Sequence, residues 1–462
     1  MIKNNKNQSL DNLSVLVVDD CNTTLLLFKQ QLKQIGITKV NTVTNYRDAL
    51  QAVGSHRFDI IVLDYHLDKT VTGIQLANLL YRRKLISRST GILLVSGDSS
   101  QETVLTSQSG HVPHFMKKPF QPAELSKRLF QVHKDQSVIR KLEDKLTQTE
   151  SFDEVGLVNL VIHAPTRILA ESFVLQTLVK QSRWSHLEQW LSHSPTAVHV
   201  EKLIAKAHLL AYKGEKDTAL KEVEDYIRDN PLAVGAMDLV SMFYIERHQF
   251  HDAYHFARTA FNKTPSISNR AIAVARLATQ LNKWDVLLEV GRNYASALSV
   301  ADVTWVSSML VYGRCLQKSL TQLLAVTKRD AFILSVHEIF NITYQRLSGS
   351  QRQSMDLYKQ LFLIGVRKEQ QRHEEAKSIL LETVLPYIDD VATIPTCLLI
   401  ECYFHLHFYQ EAWFANKVVA EIEQRNLFDD ETEELLAEYR QYRKMVSQEN
   451  SEPNQLNAMQ TL

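Results

Sequence analysis

Hydrophobic and polar positions follow two different regimes along the chain. In the first, short β-branched runs (Ser14–Val18, Val40–Val43, Asp59–Leu63, Ile92–Val95 and a weaker one at Val112–Phe115) are separated by stretches of helical spacing. Those stretches are Thr23–Ile35, Tyr46–Val53, Ile74–Lys84, a polar segment over Ser99–Ser109, and Pro122 to about Lys134. Strands separated by helix-length segments predict a parallel sheet covered on both faces. Residues 13–134 therefore read as a flavodoxin-like α/β domain of five strands and five helices. Residues 135–155 read as a polar linker helix continuing the last helix of the α/β domain, with Ile139, Leu142 and Leu146 on one stripe; a solvated spacer is the plainer reading and a short dimerising or signal-transmitting helix the alternative. Residues 156–447 carry helical periodicity throughout, closing on a capping helix near Asp430–Met445. The ends, 1–12 and 448–462, read as disordered.

The second regime repeats. Pro231 and Pro265 are 34 residues apart (265 − 231), as are Ala219 and Ala253 (253 − 219). Helical segments pair around them: Glu201–Tyr212 with Asp217–Arg228, and Val234–Glu246 with Phe250–Phe261. A small residue where two helices cross and a proline ending each pair are what stacked helical hairpins need. The period resembles the tetratricopeptide repeat, with Ala207, Ala219, Pro231, Tyr244, Ala253, Ala260 and Pro265 at its small, aromatic and proline positions. Further copies are degenerate, and the stretch 300–350 is helical without a readable phase. The tryptophans Trp184, Trp190, Trp284, Trp305 and Trp413 read as hairpin core. The resemblance implies an all-α hairpin solenoid whose concave groove binds another protein and performs no chemistry.

Composition sharpens this division. Glycine is scarce, 13 in 462 residues, and Gly36, Gly54, Gly73, Gly91, Gly97 and Gly110 all fall in the α/β part. Lys and Arg number 52 and Asp and Glu 52, so no global basic field exists to gather nucleic acid or anionic lipid. No run approaches the ~20 apolar residues of a membrane span. The four cysteines, Cys21, Cys315, Cys397 and Cys402, form no CxxC pair, and a reducing, cytoplasmic address follows as the expectation.

In a doubly wound sheet the chemistry sits at the carboxyl ends of the strands. Here those ends carry Asp19-Asp20, Asp64, Ser96-Gly97 and Lys118-Pro119: three carboxylates, a hydroxyl and an ammonium. Clustered carboxylates call for a hard divalent cation, of which Mg²⁺ is the natural one. The strings VLVVDD, IIVLDYHLDKTVTG, LLVSGDSS and FMKKPF closely resemble the receiver domain of two-component response regulators.

The resemblance implies that Asp64 is the phosphoacceptor, taking its phosphoryl group from a histidine kinase or phosphotransfer protein. It also implies that Asp19, Asp20, Asp64 and the backbone carbonyl of His66 hold Mg²⁺. Ser96 and Lys118 would contact phosphoryl oxygens, Gly97 would leave room for them, and Phe115 would switch rotamer with Ser96. The Lys118–Pro119 bond would be cis. Two departures stand beside Asp64: the family often has proline four residues on and glycine eight on, whereas Asp68 and Gly73, nine on, stand here, and His66 replaces the commoner polar residue. These are expected to alter the lifetime of the phosphoryl group.

The chain is thus expected to be a phosphorylated regulator rather than an enzyme. Its hairpins would bind a kinase, a second regulator or an adaptor, or support a homodimer. The alternative is a receiver-controlled, metal-dependent phosphohydrolase built on His248, His251, Asp252 and His255, which share a segment with an HD dipeptide. Surface histidines beside the small Ala253 are the plainer reading. Cys402, His405 and His407 are also metal-like in type, but helical spacing sets the two histidines on different faces.

Overall fold

The structure, a computed structural model, describes residues 12–67, 71–97, 105, 112–147, 152–298, 304–323, 326–425 and 433–449. The expected disordered ends and Asp68 lie outside these, save Asn12 and residues 448–449, which continue the last helix. The chain divides into two compact units, Met1–Arg270 and Ala271–Leu462.

The first unit opens with a five-stranded parallel sheet of order β2-β1-β3-β4-β5, made of β1 (Ser14–Val18), β2 (Lys39–Val43), β3 (Ile60–Asp64), β4 (Gly91–Ser96) and β5 (His114–Lys117). The central strands are buried on both faces, which explains their unbroken Val, Ile and Leu runs. Helices α1 (Asn22–Gln34), α2 (Tyr46–Ser55), α3 (Gly73–Arg82) and α4 (Pro122–Thr147) connect and cover the strands.

At α4 the linker helix does continue the last helix of the α/β domain, but the solvated-spacer expectation fails. This helix runs unbroken past Lys134 to Thr147, and the residues read as a solvated spacer are buried: Asp135, Gln136, Ile139, Leu142 and Leu146. Its first half packs Leu125, Leu129 and Val132 into the sheet's core. Its second half packs Ile139, Leu142 and Leu146 into another core with Leu175, Leu178 and Trp190. That second core is formed with α5 (Glu154–Ile162), α6 (Arg167–Lys180) and α7 (Trp184–His193). The unit continues with α8 (Val200–Tyr212), α9 (Lys216–Asp229), α10 (Val234–Glu246) and α11 (Phe250–Lys263), paired as the periodicity predicts, with Ala219 and Ala253 fully buried.

The second unit holds most of α12 (Ser268–Gln280), α13 (Trp284–Ala297), α14 (Thr304–Gln322), α15 (Val326–Arg346), α16 (Ser350–Glu369), α17 (His373–Ile379), a π-helical turn at Leu380–Val384, α18 (Leu385–Ile388), α19 (Thr396–Phe408), α20 (Ala412–Gln424) and α21 (Glu433–Glu449). Of the tryptophans expected in the core, Trp190 and Trp305 are buried, whereas Trp413 is 68% exposed.

One turn recurs. Ser182, Gly214, His248, Asn282, Gln371 and Gln410 all take positive φ, between 53° and 87°. At each, the amide donates to the carbonyl three residues back and the next amide to the carbonyl five back, at 2.8–3.2 Å. This is the Schellman cap, which ends one helix and releases the next after a short turn. Gly214, His248 and Asn282 follow one another at 34 residues (248 − 214 and 282 − 248). Only one of the six is glycine, so the turn signal is nearly silent in the sequence.

Second-unit helices also interlock through glycine. The Tyr312 hydroxyl donates to the Leu287 carbonyl at 2.9 Å beside Gly291, and the Tyr358 hydroxyl to the Met309 carbonyl at 2.8 Å beside Gly313. A Cβ on Gly313 would lie 2.1 Å from that Tyr358 oxygen. Gly313→Ala is therefore expected to destabilise the protein by about 2–4 kcal/mol, through overpacking and a lost buried hydrogen bond. Gly54→Ala, whose methyl meets nothing within 4 Å, should cost nothing. Denaturant titration of the two variants checks this, and equal midpoints would sink it.

Candidate functional site

Parallel pairing brings the strand ends to one edge: Val18 pairs with Leu63, Asp64 with Val95, and Ser96 with Lys117. Asp19 follows β1 directly and is buried, its Oδ1 accepting the Cys21 amide at 2.9 Å. Asp64 ends β3, half-buried, its Oδ2 accepting the His66 amide at 3.0 Å. From just past the end of β5, across β4 from β3, the Lys118 ammonium donates to Asp19 Oδ2 at 2.7 Å and to Asp64 Oδ1 at 2.6 Å. The Lys118 amide donates to the Ser96 carbonyl at 2.7 Å, fixing β5 to β4, and the Lys118–Pro119 bond is cis.

Burial works against the charge of Lys118, but the two carboxylates outweigh it and lift the amine above the ordinary lysine range. Burial likewise lifts Asp64 above the ordinary carboxylate range, against the pull of Lys118.

The loop after Asp64 is closed by a single antiparallel bridge, His66 to Thr72. Thr72 caps α3 in a reciprocal pair with Gln75: its hydroxyl accepts the Gln75 amide at 3.3 Å and its own amide donates to Gln75 Oε1 at 2.9 Å. The string Thr-Gly-Ile-Gln carries that signal in the sequence. A Cβ on Gly73 would stand 2.2 Å from the Asp64 carbonyl oxygen, so the glycine is required by close backbone approach.

Ser96 is buried, Phe115 half-buried on β5, and Gly97 faces open space, where a Cβ would meet nothing within 4 Å. Asp20 is exposed. Among the described residues no three His, Cys, Asp or Glu side chains are gathered as a metal cluster; the ammonium of Lys118 bridges two of the expected carboxylates. Asp19, Asp64 and Lys118 are thus brought together, while Asp20 stands at the open edge.

The other histidine sets are not assembled. His248 is the positive-φ residue of a Schellman turn, and His248, His251, Asp252 and His255 are all exposed. Cys402 and His405 are buried in α19, and His407 Nδ1 instead meets the Tyr442 hydroxyl at 3.0 Å.

The sequence of residues 15–130 matches the response regulator receiver domain. These residues are a receiver domain. The chain is 26% identical over 156 residues to the probable transcriptional regulator ycf27 of Cyanidium caldarium, spanning 34% of this chain and 57% of that protein. It is 23% identical over 117 residues to the chemotaxis protein CheY of Pseudomonas aeruginosa, 25% of this chain and 93% of that one. Among solved structures, Vibrio cholerae CheY4 is similar at 27% identity, covering 26% of this chain and 98% of its own, with a TM-score of 0.25. The receiver domain of this chain is followed by a body whose described elements are all helical, and no described helix is long and apolar enough to cross a membrane.

The receiver domain also carries a polar cluster that sequence reasoning missed. His114 on β5 is buried, and burial pushes its imidazole down to about 4. Its Nε2 lies 3.7 Å from Asp135 Oδ2 on α4, beyond hydrogen-bonding reach. Asp135, lifted above the ordinary carboxylate range by burial, accepts the Thr166 amide at 2.9 Å and its hydroxyl at 2.7 Å. Nothing in the run Asp135-Gln136-Ser137 distinguishes it from a solvated spacer.

Proposed function

We propose that this chain is a response regulator of a two-component phosphorelay, phosphorylated on Asp64, whose helical body is a protein-binding scaffold rather than an enzyme. The observation that carries the reading is the Lys118 ammonium held between Asp19 and Asp64 at the carboxyl edge of the sheet. An Asp64 oxygen attacks phosphorus on a phosphohistidine; the P–O bond forms as the P–N bond breaks, and the imidazole leaves. Lys118 then pairs with a phosphoryl oxygen in place of the carboxylate charge, and the Ser96 hydroxyl bonds another. Phe115 follows Ser96 inward.

The donor set suits Mg²⁺: hard carboxylate oxygens of Asp19 and Asp64 face one point within 2.7 Å of a single cation, with Asp20 at the open edge. Asp19, Asp20, Asp64 and the His66 carbonyl would hold the ion, which neutralises charge on the transferring group.

The scaffold reading is supported by the repeated Schellman turns, the 34-residue spacing of Gly214, His248 and Asn282 among them, and the fully buried Ala219 and Ala253, features of tetratricopeptide-like hairpins. Its partners are a histidine kinase or phosphotransfer protein at the receiver domain and a second protein at the groove. Incubating the full chain with acetyl phosphate and Mg²⁺ tests the core of this reading. Intact mass should show one phosphoryl group gained per chain, labile to hydroxylamine as an acyl phosphate is; no gain overturns it.

A further inference from the structure

The receiver domain and the hairpins up to Arg270 form one compact unit, and the joint between them is built from specific side chains. Helix α4 belongs to both, its first half in the sheet's core and its second half in the core of α5–α7. Thr166 is the N-cap of α6 but makes no side-chain bond to its own helix end. Its hydroxyl and amide both go to Asp135, and Gln131 Nε2 donates to the same hydroxyl at 3.1 Å. Leu105 of the receiver domain is buried with Val234, Met237 and Ala260 of the α10–α11 hairpin. The Arg88 guanidinium reaches Gln176 at 3.3 Å and lies over the Phe173 ring.

Strand β5 is the short piece between this joint and the phosphoacceptor. It has four residues, with His114 facing Asp135 at one end and Lys118 just past the other. Converting the Asp64 carboxylate to an acyl phosphate replaces one of the two carboxylates that hold Lys118 with a phosphoryl oxygen, so the end of β5 beside Lys118 is re-seated while Asp19 still holds the ammonium. The His114 Nε2, with no hydrogen-bond partner, is the group at the joint that such a shift moves against Asp135.

We infer that Asp135 is the coupling residue between the phosphoryl pocket and the hairpins, transmitting the position of β5 to the cap of α6 through Thr166. This rests on the phosphoacceptor reading of Asp64. By reciprocity, occupancy of the pocket and the arrangement of α6–α7 bias each other.

The tryptophans make this measurable, because all five, Trp184, Trp190, Trp284, Trp305 and Trp413, lie outside the receiver domain. The full chain is titrated with beryllofluoride and Mg²⁺. The bound ¹⁹F resonance reports pocket occupancy and tryptophan emission reports the helical body. The native chain should show both signals. In Asp135→Ala and Thr166→Val the resonance should persist while the emission change falls at least about fivefold, the low end of ordinary coupling. Thr166→Ser, which keeps the hydroxyl, should restore it. Should Asp135→Ala lose the resonance, the Thr166→Val and Thr166→Ser pair decides alone. A native resonance without an emission change, or a full emission change in Thr166→Val, overturns the coupling. No resonance in the native chain overturns the phosphoacceptor reading and the coupling with it.

Discussion

An Asp64→Asn chain should take up no phosphoryl group from acetyl phosphate under conditions where the native chain takes up one. The amide nitrogen and oxygen are far poorer nucleophiles than the carboxylate, and labelling should fall at least about a hundredfold. The substitution keeps the shape of a half-buried side chain that bonds Lys118 and the His66 amide. It should not unfold the protein. Burial holds the Asp64 pKa above its unfolded value, so the ionised carboxylate costs folding free energy, a cost present above the folded pKa and relieved as pH falls through it. A neutral amide removes that cost at pH 7, and the variant's denaturation midpoint should match or exceed the native one. Intact-mass spectrometry after acetyl phosphate, with a urea titration beside it, gives both numbers. Undiminished labelling in a folded Asp64→Asn chain would assign the phosphoacceptor elsewhere.

Asp64 could be found from sequence because it terminates a strand, and strand ends in a parallel sheet converge whatever the loops do. The run Ser14–Val18 is β1 to the residue, and Asp19, Asp64 and Lys118 meet as that topology dictates. The helical pairs around Ala219 and Ala253 were equally legible, since a small residue recurring at a fixed interval marks a helix crossing. What escaped are features set by partners distant in sequence. Asp135 and Gln136 look solvated until α4 is seen packed against α5 and α6, and the full burial of Glu171 likewise depends on residues well downstream of it. Trp413 errs the other way, since its size suggests core but its helix turns it to solvent. The phase of residues 300–350 was unreadable because α14 and α15 run 19 and 21 residues, longer than the hairpin helices before them.

Glu171 should be the most destabilising single truncation in the helical body. Its side chain is fully buried at the centre of five donors: Ser194 and Thr196 hydroxyls, His199 Nε2 at 3.0 Å, Trp190 Nε1 at 3.3 Å and the Lys202 ammonium at 3.4 Å. Together they tie α6 to α7, to the connection after it and to the start of α8. Glu171→Ala removes the shared acceptor of all five and leaves the Lys202 ammonium and the Thr196 hydroxyl only backbone carbonyls, and removing one member of such a buried network costs about 3–5 kcal/mol. Glu171→Gln keeps the volume and some of the bonds and should cost less.

The same site gives a pH signature. Burial alone would raise the Glu171 pKa, but the bonds from His199, Ser194 and Thr196 and the charge of Lys202 bring it down to about 2. A folded pKa below the unfolded one stabilises the protein above the ordinary carboxylate range, and that stability drains away as pH falls from about 5 towards about 2, on the order of 3 kcal/mol in all. The native stability curve should therefore drop more steeply over that window than the Glu171→Gln curve, and the two should converge at its acid end. Urea titrations at stepped pH measure the difference. Parallel curves would mean that Glu171 is not held ionised by these donors, and a Glu171→Ala midpoint close to native would mean that the network does not bear on folding.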